Sequence, residues 1–337
     1  MLLGLDAGGT KTHCAIAEDD GTIDSEGFGG AGNYQTCGID KARESFREAV
    51  DKALRGAKTQ MSAVKAAVFG LSGADEPRDL AVLRPVVKEI VGNIPHEIVN
   101  DTLLGLRTGS ETNTGVVSIC GTGAGHAGRN DKGELLILRN LEYMTGNLGG
   151  GDDLVSSSLH FAFRSEEGTF HKSMLEEAVP ALFGVSGMSG VCDLLRSFEL
   201  TKEQRFKLPI LVFDLANKGD RVCRMLIEDM GREEGRYAAA VSRRLKMTET
   251  AFPAVLTGSL FKTGMPLLID SYMASLHEAS PLAYPVIPDK PPVVGAILMA
   301  ADITLLLISQ TFLSCIRGSC PSRRNSRLRT EARPYSP

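Results

Sequence analysis

Gly4-Leu5-Asp6-Ala7-Gly8-Gly9-Thr10-Lys11-Thr12 is the stretch from which the fold can be read. An apolar run ends in a carboxylate, and a tight glycine turn follows with a hydroxyl and an ammonium group. Glycines let backbone N–H groups approach phosphate oxygens, because no Cβ intervenes. Thr10 and Lys11 add donors, and Asp6 suits Mg2+ held through water, since that hard ion gives up its shell reluctantly. An ordinary hairpin would use the same residues, with Gly8 and Gly9 supplying positive φ. Cys120-Gly121-Thr122-Gly123-Ala124-Gly125 is a second turn of the same kind, so together they suggest a pincer on a polyphosphate. No G-x-x-x-x-G-K-[ST] occurs and strands follow the first turn, which excludes Walker and dinucleotide-fold loops.

Residues 2–6, 12–17 and 22–28 read as an antiparallel meander around that turn, and apolar residues at helical spacing predict a helix over 39–58. A buried strand at 64–70, a helix at 80–91 and a short strand at 97–99 then deliver Asn100-Asp101. The opening pattern returns at 114–120, 124–129 and 135–139. The sequence therefore predicts an α/β protein of two like-built domains facing across a cleft. The N-terminal domain spans 1–113, the C-terminal domain spans 114–290, and 291–302 packs back on the first. In the second domain a long helix over 219–245, a strand at 254–257 and a helix over 265–276 follow.

The chain has 337 residues, 43% of them apolar and 23% charged, which fits a folded two-domain protein. A net charge of −4 argues against a nucleic-acid partner. Six arginines and one glutamate lie beyond residue 302, so the body alone carries −9. That basic tail, 303–337, reads as an atypical extension, irregular or partly disordered. Val293–Ile316 is apolar but holds Asp302, so it reads as a buried helix with an extension and no membrane partner is expected. Seven cysteines without C-x-x-C spacing and no secretory signal point to the cytoplasm.

The two turns, Val99-Asn100-Asp101 and Ala254-Val255-Leu256-Thr257-Gly258-Ser259-Leu260-Phe261 resemble the phosphate-1, phosphate-2, catalytic and adenosine segments of the actin-like ATPase and sugar kinase superfamily. Within it the chain is most similar to the N-acetylglucosamine kinase and BadF/BadG/BcrA/BcrD ATPase family, from about Leu2 to Ala301. The resemblance implies ribonuclease H-like domains and transfer of the γ-phosphate of Mg-ATP to a hydroxyl of an amino sugar, most simply N-acetylglucosamine. It implies Asp101 as general base, although Asp101 could also be a helix N-cap. Asp6, Gly8, Gly9, Thr10, Lys11, Gly121, Thr122, Gly123, Gly258 and Ser259 would hold the nucleotide and its Mg2+. Asn33, Ser72, Gly73 and Asn147 would hold the sugar. Asn33 could equally be a turn former, and Gly258 a strand-to-helix turn needing positive φ.

Where the family's sugar kinases show Gly-Asp-Glu-Gly-Ser, this chain reads Gly146-Asn147-Leu148-Gly149-Gly150, with an amide in place of the carboxylate. Asp152 and Asp153 then read as charges on a helix N-terminus. The family also contains ATPases that energise a partner enzyme through a cysteine-held iron–sulfur cluster, an alternative that no cluster motif supports here. The resemblance leaves a homodimer open.

Overall fold

The computed structural model describes residues 1–139 and 142–304, so the expectations for the tail beyond 304 lie outside the described residues. The first lobe carries β1 (Leu2–Ala7), β2 (Thr12–Ala17), β3 (Ile23–Gly29), β4 (Ala66–Leu71) and β5 (His96–Asn100). Its helices are α1 (Tyr34–Cys37), α2 (Ile39–Gly56), α3 (Pro77–Val91) and α4 (Asp101–Gly109). The second sheet consists of β6 (Gly115–Cys120), β7 (Ala124–Arg129), β8 (Leu135–Ile137), β9 (Pro253–Thr257) and β10 (Tyr284–Val286). Around it lie α5 (Gly150–Glu166), α6 (Leu175–Phe183), α7 (Gly187–Arg196), α8 (Lys202–Arg205), α9 (Lys207–Asn217), α10 (Arg221–Arg244) and α11 (Pro266–His277). The last helix, α12 (Pro292–Ile303), follows.

The internal repeat is exact in topology. One sheet runs β3-β2-β1-β4-β5 and the other, taken from its opposite edge, runs β8-β7-β6-β9-β10. In each, an antiparallel meander is followed by two parallel crossovers. The central strands β1 and β4 pair in parallel and are almost continuously buried, which is why they read as unbroken apolar runs rather than as alternation.

The layers follow from side-chain alternation along the strands. Leu3, Leu5 and Ala7 of β1 pack with Phe46 of α2 and Leu83 of α3. Leu2, on the opposite face, joins a central layer made by α4 and α12, to which the second sheet contributes Val117, Ala127 and Val255. A third core, built on Val116 and Cys120, is covered by α5, α6, α7, α9, α10 and α11. Helix α12 is buried almost throughout between β1, β4 and α4. Among the described residues no single helix is long and apolar enough to cross a membrane.

Two readings from sequence are corrected. Gly8 and Gly9 do not adopt positive φ, whereas Gly21 does, at 86°. The β1–β2 connection is a four-residue loop closed by Gly8 N to Lys11 O at 3.0 Å, and such loops do not need the left-handed pair that a two-residue turn demands. Helices α6 to α9 were also unread, because Gly184, Gly187, Pro180 and Pro209 break this region into short pieces; strand β10 was unread because it is only three residues long, with Pro285 at its centre.

Candidate active site

Alternation places Asp6 on the same face of β1 as Leu2 and Gly4, towards the central layer where α4 begins. Gly4 meets α12 there so closely that a Cβ would lie 2.9 Å from Ile297 N. Asp101 is the first residue of α4, and the Asn100 side chain caps the helix by accepting from Thr102 N at 2.9 Å. The N-cap is therefore Asn100 and not Asp101, whose carboxyl group lines the cleft instead.

That cleft encloses about 1010 Å³ between the lobes. Asn33, Ser72, Gly73 and Asp101 line it from the first lobe, and Gly121, Thr122, Gly123 and His126 from the second. Three of these stand in line: Asn33 Nδ2 donates to Ser72 Oγ at 3.2 Å, and the Ser72 hydroxyl is close enough to the Asp101 carboxyl to favour its ionised form. Burial, then the negative charges of Asp6 and Asp75, push the Asp101 carboxyl up to about 7, against the pull of the Thr102 and Ser72 hydrogen bonds. Burial likewise raises Asp6 to about 6, with Lys11 opposing. Two nearby carboxylates that hold protons this tightly form a donor set suited to a hydrated divalent cation.

The sequence reading missed the residues that hold this line in place. Asp79 is buried at the start of α3 and accepts from Tyr34 Oη at 2.6 Å, Glu76 N at 2.8 Å, Asp75 N at 3.1 Å and Gln35 Nε2 at 3.5 Å. Burial would raise its carboxyl, but those hydrogen bonds outweigh it and hold the group ionised below its usual range. Asp75 in turn accepts from Asn100 Nδ2 at 2.7 Å. The loop bearing Asn33, the turn at Ser72-Gly73 and the N-terminus of α4 are thus tied into one unit. A capping box, Glu76 with Asp79 three residues on and Pro77 at the first helical position, was the legible signal.

A second chamber of about 670 Å³ opens on the other side of the Gly121–Gly123 turn. Phe206, Pro209, Phe213, Leu260 and Met265 give it apolar walls, with Ser259 and Asp214 beside them. Gly121 and Thr122 line both chambers, so this turn is the partition between a polar room and an apolar one. It rests on α5, whose first amides are turned to it: Gly151 N donates to Gly121 O at 2.7 Å and Asp152 N to Thr122 O at 2.9 Å.

The glycines divide by what requires them. Gly258 has φ +95° and its Cβ would sit 2.3 Å from Cys120 O, so the fold itself demands it. At Gly9 and Gly123 a Cβ would meet nothing within 4 Å, so the protein's own packing gives no reason for glycine there. The structure does not bring every expected residue together. Asp6, Gly8, Gly9, Thr10, Lys11 and Gly258 line neither chamber, and the loop tip at 9–11 is exposed. Asn147 is buried outside the cleft lining and accepts from Thr145 Oγ1 at 3.1 Å. Asp153 accepts from Gly149 N, the helix-terminus role expected for it. Cys120 and Cys223 lie fully inside the core.

Beneath the strap at 146–150, Glu234 of α10 is completely buried with neither carboxyl oxygen hydrogen-bonded. His126 Nε2 faces it at 3.5 Å, while His126 Nδ1 meets Ser118 Oγ at 3.0 Å. Burial pushes Glu234 well up and His126 down to about 3, each away from its charged form.

Comparison with known proteins places this arrangement. A Clostridium acetobutylicum N-acetylmuramic acid/N-acetylglucosamine kinase is 25% identical over 73% of this chain and 80% of its own length. The N-acetyl-D-glucosamine kinase of Dictyostelium discoideum is 25% identical over 90% of this chain and 98% of its own. Among solved structures, a glucokinase of the ROK family from Streptomyces griseus, in complex with glucose and AMPPNP, shares the fold with a TM-score of 0.56 at 17% identity. The match covers 89% of this chain and 97% of that one. The family model that matches spans residues 3–300, taking in both sheets, the line from Asn33 to Asp101 and the glycine partition, and the chain belongs to the BadF/BadG/BcrA/BcrD ATPase family.

Proposed function

We propose that the chain is an ATP-dependent sugar kinase that transfers the γ-phosphoryl group to a hydroxyl of an N-acetylated amino sugar, with Asp101 as general base. The observation that carries this reading is the division of the site by Gly121–Gly123 into a polar chamber holding Asp101 and an apolar chamber able to cover a nucleoside. The acceptor sugar lies among Asn33, Ser72 and Gly73, where amide, hydroxyl and backbone groups match hydroxyls. The purine lies against Phe206, Pro209 and Met265, and the phosphates cross the glycine partition, whose open backbone leaves room for them.

Asp101 takes the proton of the attacking hydroxyl at a carboxylate oxygen. A new O–P bond forms to the γ-phosphorus as the bond to the ADP oxygen breaks, and ADP leaves with that electron pair. The transition state is loose, so Asp101 has chiefly to orient the hydroxyl and accept its proton late. A carboxyl near 7 before the substrates arrive is a base matched to neutral pH. The Ser72 and Asn33 line fixes its direction. Asp6, supported by Lys11, would hold Mg2+ through water, and that ion supplies neutralisation of phosphate charge.

The relatives' names supply the panel for a test: ADP release measured with N-acetylglucosamine, N-acetylmuramic acid, glucosamine and glucose. Release that depends on an N-acetylated sugar and is lost in Asp101→Asn is the expected result. ADP release at the same rate without any sugar would overturn the proposal.

A further inference from the structure

Arg107 is the largest side chain that the fold buries completely, at 1% exposure, and it lies two residues from the C-terminal end of the helix that begins with Asp101. Its guanidinium makes a two-pronged pair with Asp302 of α12, Nε to Oδ2 at 3.0 Å and Nη2 to Oδ1 at 3.2 Å. Nη1 donates to Ser110 O at 3.0 Å and to Glu111 O at 3.1 Å, in the segment that crosses from the first lobe to the second. One buried cation therefore joins the base-bearing helix, the last helix and the interlobe connection.

The two sides of α4 differ in how they are held. Towards the first lobe it is locked: Gly295 of α12 approaches so closely that a Cβ would lie 2.1 Å from Leu104 O, and Leu104 fills the space over Gly70 of β4. Towards the second sheet α4 presents Gly105 and Gly109, one helical turn apart. Cβ atoms there would lie 3.2 Å from Thr257 Cγ2 and 2.5 Å from Val255 Cγ1. That contact is methyl groups against bare backbone, without a hydrogen bond, and such a smooth surface permits sliding.

We infer that Arg107 and Asp302 are positioning residues that pin α4 to the first lobe, so that when the cleft closes the second sheet shears over the Gly105/Gly109 face while Asp101 stays fixed relative to Ser72 and Asn33. A helix free to follow either lobe would carry its carboxylate out of line, and misplacements of about 1 Å cost on the order of a hundredfold in rate. The pin acts at the far end of the helix and touches no substrate. Asp302 is 42% exposed on its side chain, so it can be altered with less damage than Arg107.

The test is Asp302→Ala, with Asp302→Glu as the rescue variant, read in two ways. In backbone hydrogen exchange, amides of 101–109 should exchange at least tenfold faster in Asp302→Ala, with β1 and β4 unchanged and Asp302→Glu restoring most of the protection. In turnover, which rests on the sugar-kinase reading, kcat should fall about tenfold while KM for sugar and for ATP move less than threefold. Wild-type exchange in 101–109 would overturn the inference, as would equal loss of protection in β1 and β4. A KM rise with kcat unchanged would also overturn it. If the protein phosphorylates no sugar at all, the exchange measurement still decides the role of the pin.

Discussion

Asp101 is a residue whose usefulness and whose cost have one origin. Burial and the charges of Asp6 and Asp75 raise its carboxyl to about 7, and kcat/KM should therefore fall as pH drops through that value, in a pH–rate profile. Asp101→Asn should lower kcat by a factor of about 10² to 10⁴ in the ADP-release assay. The same shift has a consequence for stability with a definite sign. The folded chain binds this proton more tightly than the unfolded chain, where a carboxylate titrates near about 4. Folding stability is therefore lost as pH rises from about 4 towards 7. Asp101→Asn should melt above the wild type at pH 8, with the gap closing by pH 4, in paired thermal unfolding experiments. Glu234 is another buried acid raised in this way, and its amide analogue preserves its shape. Glu234→Gln should keep near-wild-type kcat, whereas Glu234→Lys, a buried cation beside His126, should not fold, as circular dichroism will show.

At the scale of elements, Gly258 and Gly123 separate a glycine that packing requires from one that packing does not. Gly258→Ala forces a Cβ against the Cys120 backbone at positive φ and should cost on the order of 3 kcal/mol of stability. Gly123→Ala meets open space, so urea unfolding should find stability changed by less than about 1 kcal/mol. Its KM for ATP should nevertheless rise about tenfold if, as proposed, the phosphates cross this turn. The loop-to-helix ties around Asp79 make a third comparison. Tyr34→Phe removes the 2.6 Å hydrogen bond that anchors α1 to the start of α3. KM for sugar should rise several-fold, while kcat changes little because Ser72 and Asp101 keep their own partners.

At the scale of the whole molecule, two sheets of one topology sandwich the α4–α12 layer, and the cleft is lined from both lobes. Catalysis by such a cleft requires closure to exclude water. The radius of gyration by small-angle scattering should fall when an N-acetylated sugar and a non-hydrolysable ATP analogue are added together, and an unchanged radius would speak against a closing cleft.

Much of this was legible in advance. The Gly8-Gly9 and Gly121–Gly123 turns, the repeated meander and the Asp at the end of the fifth strand follow from local rules of turn chemistry and alternation, and these rules act within a few residues. Strand alternation alone puts Asp6 and Leu2 on one face. Other features depend on pairs distant in sequence, which no local pattern records. Arg107 meets Asp302 across 195 positions, and Tyr34 reaches Asp79 across 45. The apolar chamber is walled by α9, a helix hidden among glycine and proline breaks. Only folding could decide that Gly258 serves packing while Gly123 leaves space, since the same residue type carries no mark of what its missing Cβ would have met. Local backbone preference is written in the order of the residues; burial, shared protons and close approach arise only when separate elements are brought within a few ångströms.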